Sequence, residues 1–285
     1  MAAITGYGGH IDVDGTYIPC VRDWSVTPKA DTKEGSCSSS DGAKFRKGGN
    51  VDFSGTYSAY GHTPAILPGA TGTFNGAQVG DAGAAIGVSG DIIADSFTVD
   101  IDIEGGEIIS HSVNFSGNGT LTHGGVTVDT DVGVADPQSA AGLKVEVASD
   151  PFFSFVQIPD VRSVSLTVSR ENKSYVSSST AFTTTRSIGT LDATVSIPVY
   201  AQAADGIASF PLPNGVRALR IYVDATTFYL VRFLVFSEAS DYKIPREASE
   251  FVACTLNAGF TGYTDVSATA TKGTILLPST DELWP

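Results

Sequence analysis

Three acidic residues spaced by two, Asp100, Asp102 and Glu104, stand ahead of Gly105 like the opening of a calcium loop. Such a loop needs a bidentate glutamate at its twelfth position, and His111 stands there instead, so the spacing fits strand alternation better than a metal site. Asp12 and Asp14 before Gly15 read as a hairpin turn. The four histidines, His10, His62, His111 and His123, show neither HxH nor HExxH spacing, and there is no GxSxG nucleophile motif and no GK[ST] phosphate loop. Gly117-Asn118-Gly119 has no helix after it and reads as a tight turn rather than a nucleotide fingerprint. Cys20, Cys37 and Cys254 are scattered and odd in number, which suits ordinary reduced thiols. The expectation is a protein without catalytic residues, cofactor or metal.

The charges are more informative. The chain of 285 residues carries a net charge of −14, unevenly placed: residues 1–142 hold 17 acids against 6 bases, and residues 143–285 hold 14 against 11. No Lys or Arg occurs between Gly48 and Leu143, so that stretch cannot grip phosphates by charge. The bases cluster in two polar segments, with Lys33, Lys44, Arg46 and Lys47 in Lys29–Gly48 and Lys173 and Arg186 in Ser169–Ile188. Met1-Ala-Ala-Ile-Thr-Gly lacks the basic and apolar regions of a secretory leader. No apolar run reaches membrane-spanning length, so no membrane partner is expected.

The two polar segments belong to a larger repetition. Ile18-Pro19-Cys20-Val21-Arg22 recurs as Ile158-Pro159-Asp160-Val161-Arg162, an offset of 140. Without a gap the same offset matches Ser25/Ser165, Thr27/Thr167, Lys33/Lys173, Ser38/Ser178, Ser39/Ser179, Arg46/Arg186, Gly49/Gly189, Asp52/Asp192 and Tyr60/Tyr200. That is 13 identities in the 43 positions from 18 to 60, and later the register slips by about one. The reading is a tandem duplication: copy one over 1–125, a linker over 126–141, and copy two over 142–285.

Each copy reads as all-β. Hairpins are expected around Asp14-Gly15 and Asp150-Pro151, then strands over Trp24–Pro28 and Val164–Ser169. The long polar segments are expected as loops. Strands Asn50–Tyr60 and Thr190–Tyr200 follow, then Ser96–Glu104, His111–Thr122, Ala218–Val223, Thr227–Phe236, Phe251–Gly262 and Val266–Leu277. A short helix per copy is expected near Asn75–Ala85 and Asp205–Ser209. Period-two alternation puts Phe97, Val99, Ile101 and Ile103 on one face and Ser96, Thr98, Asp100, Asp102 and Glu104 on the other. Asp52 and Asp192 likewise share the polar parity of their strands. Each copy therefore has a dry sheet face and a face of hydroxyls and carboxylates.

The order of these features resembles the major tail tube proteins of long-tailed bacteriophages. The resemblance rests on the hairpin leading to Trp24-Ser25-Val26-Thr27, the loop with Ser38-Ser39-Ser40-Asp41-Gly42, the strand Val51-Asp52-Phe53-Ser54-Gly55-Thr56-Tyr57, and Val113-x-Phe115-x-Gly117-x-Gly119. It implies tandem β-sandwich or barrel domains, three chains making a pseudo-hexameric ring, and rings stacking into a tube through the long loops. It also implies a lumen that conducts DNA as transiting cargo, with tape measure, tail tip and tail terminator proteins as partners. The protein would be made in the host cytoplasm and end in the virion tail. Under it Asp52, Asp100, Asp102, Glu104 and Asp192 are lumen candidates, and Lys33, Lys44, Arg46, Lys47, Lys173 and Arg186 are inter-ring candidates. The alternative is a duplicated β-sandwich binding module of carbohydrate-binding or adhesin type, which shares the strands but has no need of a duplicated polar loop.

Overall fold

A computed structural model of the chain describes residues 9–36, 44–79, 85–126, 128, 137–150, 153–176, 183–200, 216–236, 240–243, 253–260 and 275–279. The protein is all-β, with no helix among the described residues. The first half holds β1 (Gly9–Val13), β2 (Thr16–Tyr17), β3 (Val21–Ser36), β4 (Lys44–Tyr60), β5 (Thr71–Val79), β6 (Ala85–Asp102) and β7 (Ser110–Gly124). The second half holds β8 (Val145–Asp150), β9 (Phe153–Gln157), β10 (Ser163–Arg170), β11 (Lys173–Tyr175), β12 (Thr185–Ser187), β13 (Leu191–Tyr200), β14 (Val216–Tyr222), β15 (Phe228–Phe236), β16 (Ser240–Lys243), β17 (Ala253–Phe260) and β18 (Ile275–Ser279).

Pairing runs β2-β1-β5-β6-β7-β4-β3 through the first half and β9-β8-β14-β15-β17-β13-β10 through the second, antiparallel throughout. One order thus occurs twice, and its details recur at the same offset. Cys20 and Asp160 both take a left-handed backbone, at φ 54° and 50°. Their carbonyls accept from the amides of Tyr60 at 3.1 Å and Tyr200 at 3.0 Å. Arg22 lies 5.1 Å from the Tyr60 ring centre, and Arg162 4.8 Å from that of Tyr200. For the late strands the correspondence is 143 rather than about 141, since Ser54 faces Ser116 and Thr194 faces Gly259. The extra two residues leave every side chain on its own face, so alternation alone could not reveal them.

The expected Asp14-Gly15 hairpin forms, with φ values of 52° and 72°, and Asp12 Oδ1 accepts from the Gly15 amide at 3.2 Å. Burial alternates as the sequence requires: Phe97, Val99 and Ile101 are buried on β6, and Val164, Leu166 and Val168 on β10. A single apolar cluster crosses both halves, from Ile11, Phe53, Phe74 and Phe115 to Leu219, Val231 and Leu256. Phe74 and Phe115 stack at 4.8 Å, and Phe97 of the first half meets Tyr229 of the second at 6.1 Å.

Three expectations need correction. Lys29–Gly48 is largely not a loop: β3 and β4 pair as far as Lys33↔Lys47 and Ser36↔Lys44, and residues 37–43 lie outside the described residues. Its backbone bonds are made by its own partner strand. Residues 75–79 are strand, not helix; Gly76 lets β5 approach Trp24 and Phe74, whose ring atoms lie 2.9 Å from where a Cβ would sit. The helix expected at Asp205–Ser209 and most of the expected linker lie outside the described residues. Gly117-Asn118-Gly119 is no turn but a bulged stretch inside β7, where Gly90 faces Leu121 and Ile92 faces Gly117.

Candidate functional site

The feature that ties the halves together is a strand joint. The last part of β6 pairs with β10 over seven residues, from Ser96↔Ser169 to Asp102↔Ser163. Two four-stranded units, β3-β4-β7-β6 and β10-β13-β17-β16, thereby form one eight-stranded wall. Its polar rows can be followed strand to strand. One runs Asp23, Ser58, Ser112, Thr98, Thr167, Thr194, Gly259, and another runs Ser110, Asp100, Ser165, Ser196, Asn257. Thr98 and Thr167 hydroxyls meet across the joint at 3.1 Å. The opposite side of the wall is the apolar core.

The lumen candidates fall as follows. Asp100 is exposed on this wall. Asp102 is half-buried and its Oδ1 accepts from the Gly105 amide at 2.9 Å, closing the turn after β6. Glu104 is drawn across the joint instead: it accepts from Tyr200 Oη at 2.5 Å and from Arg162 Nε at 2.6 Å. Those two hydrogen bonds, from tyrosine first and then arginine, hold its carboxyl below the ordinary value. Asp192 is exposed, and no cation pairs with it among the described residues.

Asp52 has a different surrounding. The second polar segment forms an arm, β11 paired with β12, that lies on the first half. Arg186 of this arm grips Asp52 with both terminal nitrogens, at 2.9 and 2.6 Å. The same guanidinium donates to the Gly117 carbonyl, and the Arg186 amide donates to Asn118 Oδ1 at 2.8 Å. Thr184 donates its amide to the Val51 carbonyl at 3.2 Å, and Asn172 donates to Asp95 Oδ1 at 2.7 Å. Arg186, an inter-ring candidate, is therefore engaged inside the chain. Lys173 is exposed on β11. Lys33, Lys44, Arg46 and Lys47 lie on the first arm, whose ladder Lys33↔Lys47, Glu34↔Arg46, Gly35↔Phe45 repeats Lys173↔Ser187, Ser174↔Arg186, Tyr175↔Thr185.

Matched glycines stand at the base of both arms. A Cβ on Gly49 would lie 3.0 Å from the Asp31 carbonyl oxygen, and one on Gly189 would overlap that of Glu171, 140 residues later. At Gly189 only a residue without a side chain fits, while at Gly49 a side chain would press on Asp31. The Arg162–Tyr200–Glu104 cluster and the Asn172 and Asn118 contacts were not legible from motifs. The available signal was the recurrence of Arg22 and Tyr60 as Arg162 and Tyr200 at the 140-residue offset.

Among the described residues no three of His, Cys, Asp and Glu gather in a way that could hold a metal ion. His111 is buried, donating from Nδ1 to the Gly61 carbonyl at 2.9 Å, and His10 lies 3.2 Å from the Tyr17 hydroxyl. No family model matches the chain, and no curated protein matches it in sequence.

Proposed function

We propose that the chain is a duplicated tube-forming structural protein whose copies associate head to tail into closed, stacked rings, as in a phage tail tube conducting DNA. One observation carries this reading. The first half offers the edge of β6 and the second half fills it with β10, while among the described residues the corresponding edges, β16 and β3, pair with β17 and β4 alone. Two edges that match a joint already made within the chain are complementary to each other on successive copies. The same register sets Ser25 of one copy opposite Lys243 of the next, as Ser165 faces Asp100. Such a heterologous contact closes into a ring when the rotation permits. It also removes the hazard of two open sheet edges.

Three chains of eight wall strands, spaced about 4.8 Å, close a barrel roughly 37–48 Å across between backbones for tilts up to about 40°. A DNA duplex passes through such a bore. With the apolar side committed to the core, the hydroxyl and carboxylate rows face the lumen, and acidic groups there keep phosphates from adhering. The test is negative-stain microscopy and sedimentation of the purified protein over a concentration series. Rings of three chains, alone or stacked, are expected. A protein that stays monomeric at high concentration, or rings of six full chains, would overturn the reading.

A further inference from the structure

The arm of the second half is seated on the first half, and the arm of the first half has the same ladder, whose strands over 32–36 and 44–48 pair only with each other among the described residues. We propose that the first arm, through Arg46, clasps Asp192 of the next copy of this chain, repeating between molecules the Arg186–Asp52 pair made within one. The inference rests on the head-to-tail reading above and names the contact that locks it.

Five observations support it. Arg46 and Asp192 stand 140 residues from Arg186 and Asp52, with opposite roles in the two halves. Asp192 repeats the local geometry of Asp52: each carboxylate accepts from the next amide, Phe53 or Ala193, at 2.8 Å. The two differ in cover, since Asp52 is half-buried beneath the arm while Asp192 is exposed. The acids used at the joint also recur in sequence at the later offset: Glu238 stands 143 residues after Asp95, and Glu247 stands 143 after Glu104. Arg22 and Tyr60, which correspond to the Arg162 and Tyr200 that hold Glu104, lie at the outer end of β3 and β4.

Electrostatics then explains the composition. In a chain of net charge −14, an arm carrying Lys33, Lys44, Arg46 and Lys47 finds the acidic surface of the neighbour. In the second half the ladder breaks at Glu171 and Gly189 where the arm turns onto its seat, while in the first half β3 and β4 run on through a bulge between Ala30 and Thr32. The clasp requires the first arm to turn at Asp31 and Gly49, the corresponding places.

Charge exchange tests it. Arg46→Asp and Asp192→Arg should each weaken chain–chain association by about tenfold or more, and the double variant Arg46→Asp/Asp192→Arg should recover most of the loss. Association is read by sedimentation velocity, with folding checked by circular dichroism. Lys33→Asp, on the same arm, controls for net charge and should not be rescued by Asp192→Arg. If the parent forms rings and both single variants assemble like it, or the double variant is no better than the singles, the clasp is wrong while the tube reading stands. If the parent does not associate, both fail.

Discussion

His111 makes stability depend on pH in a window above that of Glu104, Glu146 and Asp224. Its Nδ1 donates to Gly61, while Nε2 is buried with no partner among the described residues. Tyr57 and Phe97 pack on its ring at 6.1 and 6.0 Å. Burial first, and the neighbouring His62 third after an opposing bond to Gly61, bring its pKa below the ordinary 6.5. His62 is shifted the same way by burial, with Asp224 opposing. The unfolded chain then binds more protons than the folded one as pH falls below 6.5. Stability is therefore complete above that value and declines in acid, by up to about 1.4 kcal/mol per pH unit for each histidine. Glu104, Glu146 and Asp224 have lowered values and lose their contribution only below about pH 4.5, outside this window. Urea unfolding at pH 7 and pH 5 should show the decline in the parent. His111→Asn keeps a donor for Gly61 and should remove His111's share of it, leaving that of His62. Equal declines in parent and variant would refute the argument.

Two other substitutions test the packing directly. Gly55→Ala should cost about 1–3 kcal/mol in urea unfolding, because the new Cβ would overlap the Phe115 ring and lie 2.5 Å from the Ser25 carbonyl oxygen. Arg186→Met should lower stability by about 1–2 kcal/mol and raise amide exchange in β11 and β12, since the arm loses a two-pronged grip on a carboxylate only 29 % exposed. An unchanged exchange rate there would mean that the arm is held by its backbone contacts alone.

The sequence made the wall legible and hid the arms. Strict alternation in β6 and β13 needs only a period of two, and burial follows it at Phe97, Val99, Ile101, Ala193, Val195 and Ile197. The segment around Lys33 and Arg46 shows no alternation of apolar and polar residues in sequence, so hydrophobic pattern cannot tell a hairpin from a loop. β5 is not legible as a strand because its interior glycines, Gly72 and Gly76, suppress strand propensity while permitting close approach to Asp14 and Trp24. The joint itself pairs residues more than sixty positions apart, and its ligands are hydroxyls and single charges rather than a motif. What pointed toward it was the 140-residue offset, which carries Arg22/Tyr60 onto Arg162/Tyr200.

The joint also has a history in time. During synthesis the Ser96–Asp102 edge of β6 emerges well before its partner, Ser163–Ser169. At about 5–20 residues per second, the ribosome takes roughly 3–13 s to make the intervening chain. For that interval a half-finished molecule presents an open strand to other nascent chains. Asp95, Asp100, Asp102 and Glu104 line or flank that edge, and no Lys or Arg lies between Gly48 and Leu143 to attract them. Two such intermediates repel each other, so the acidic stripe guards the strand against premature pairing before it has any finished wall to belong to.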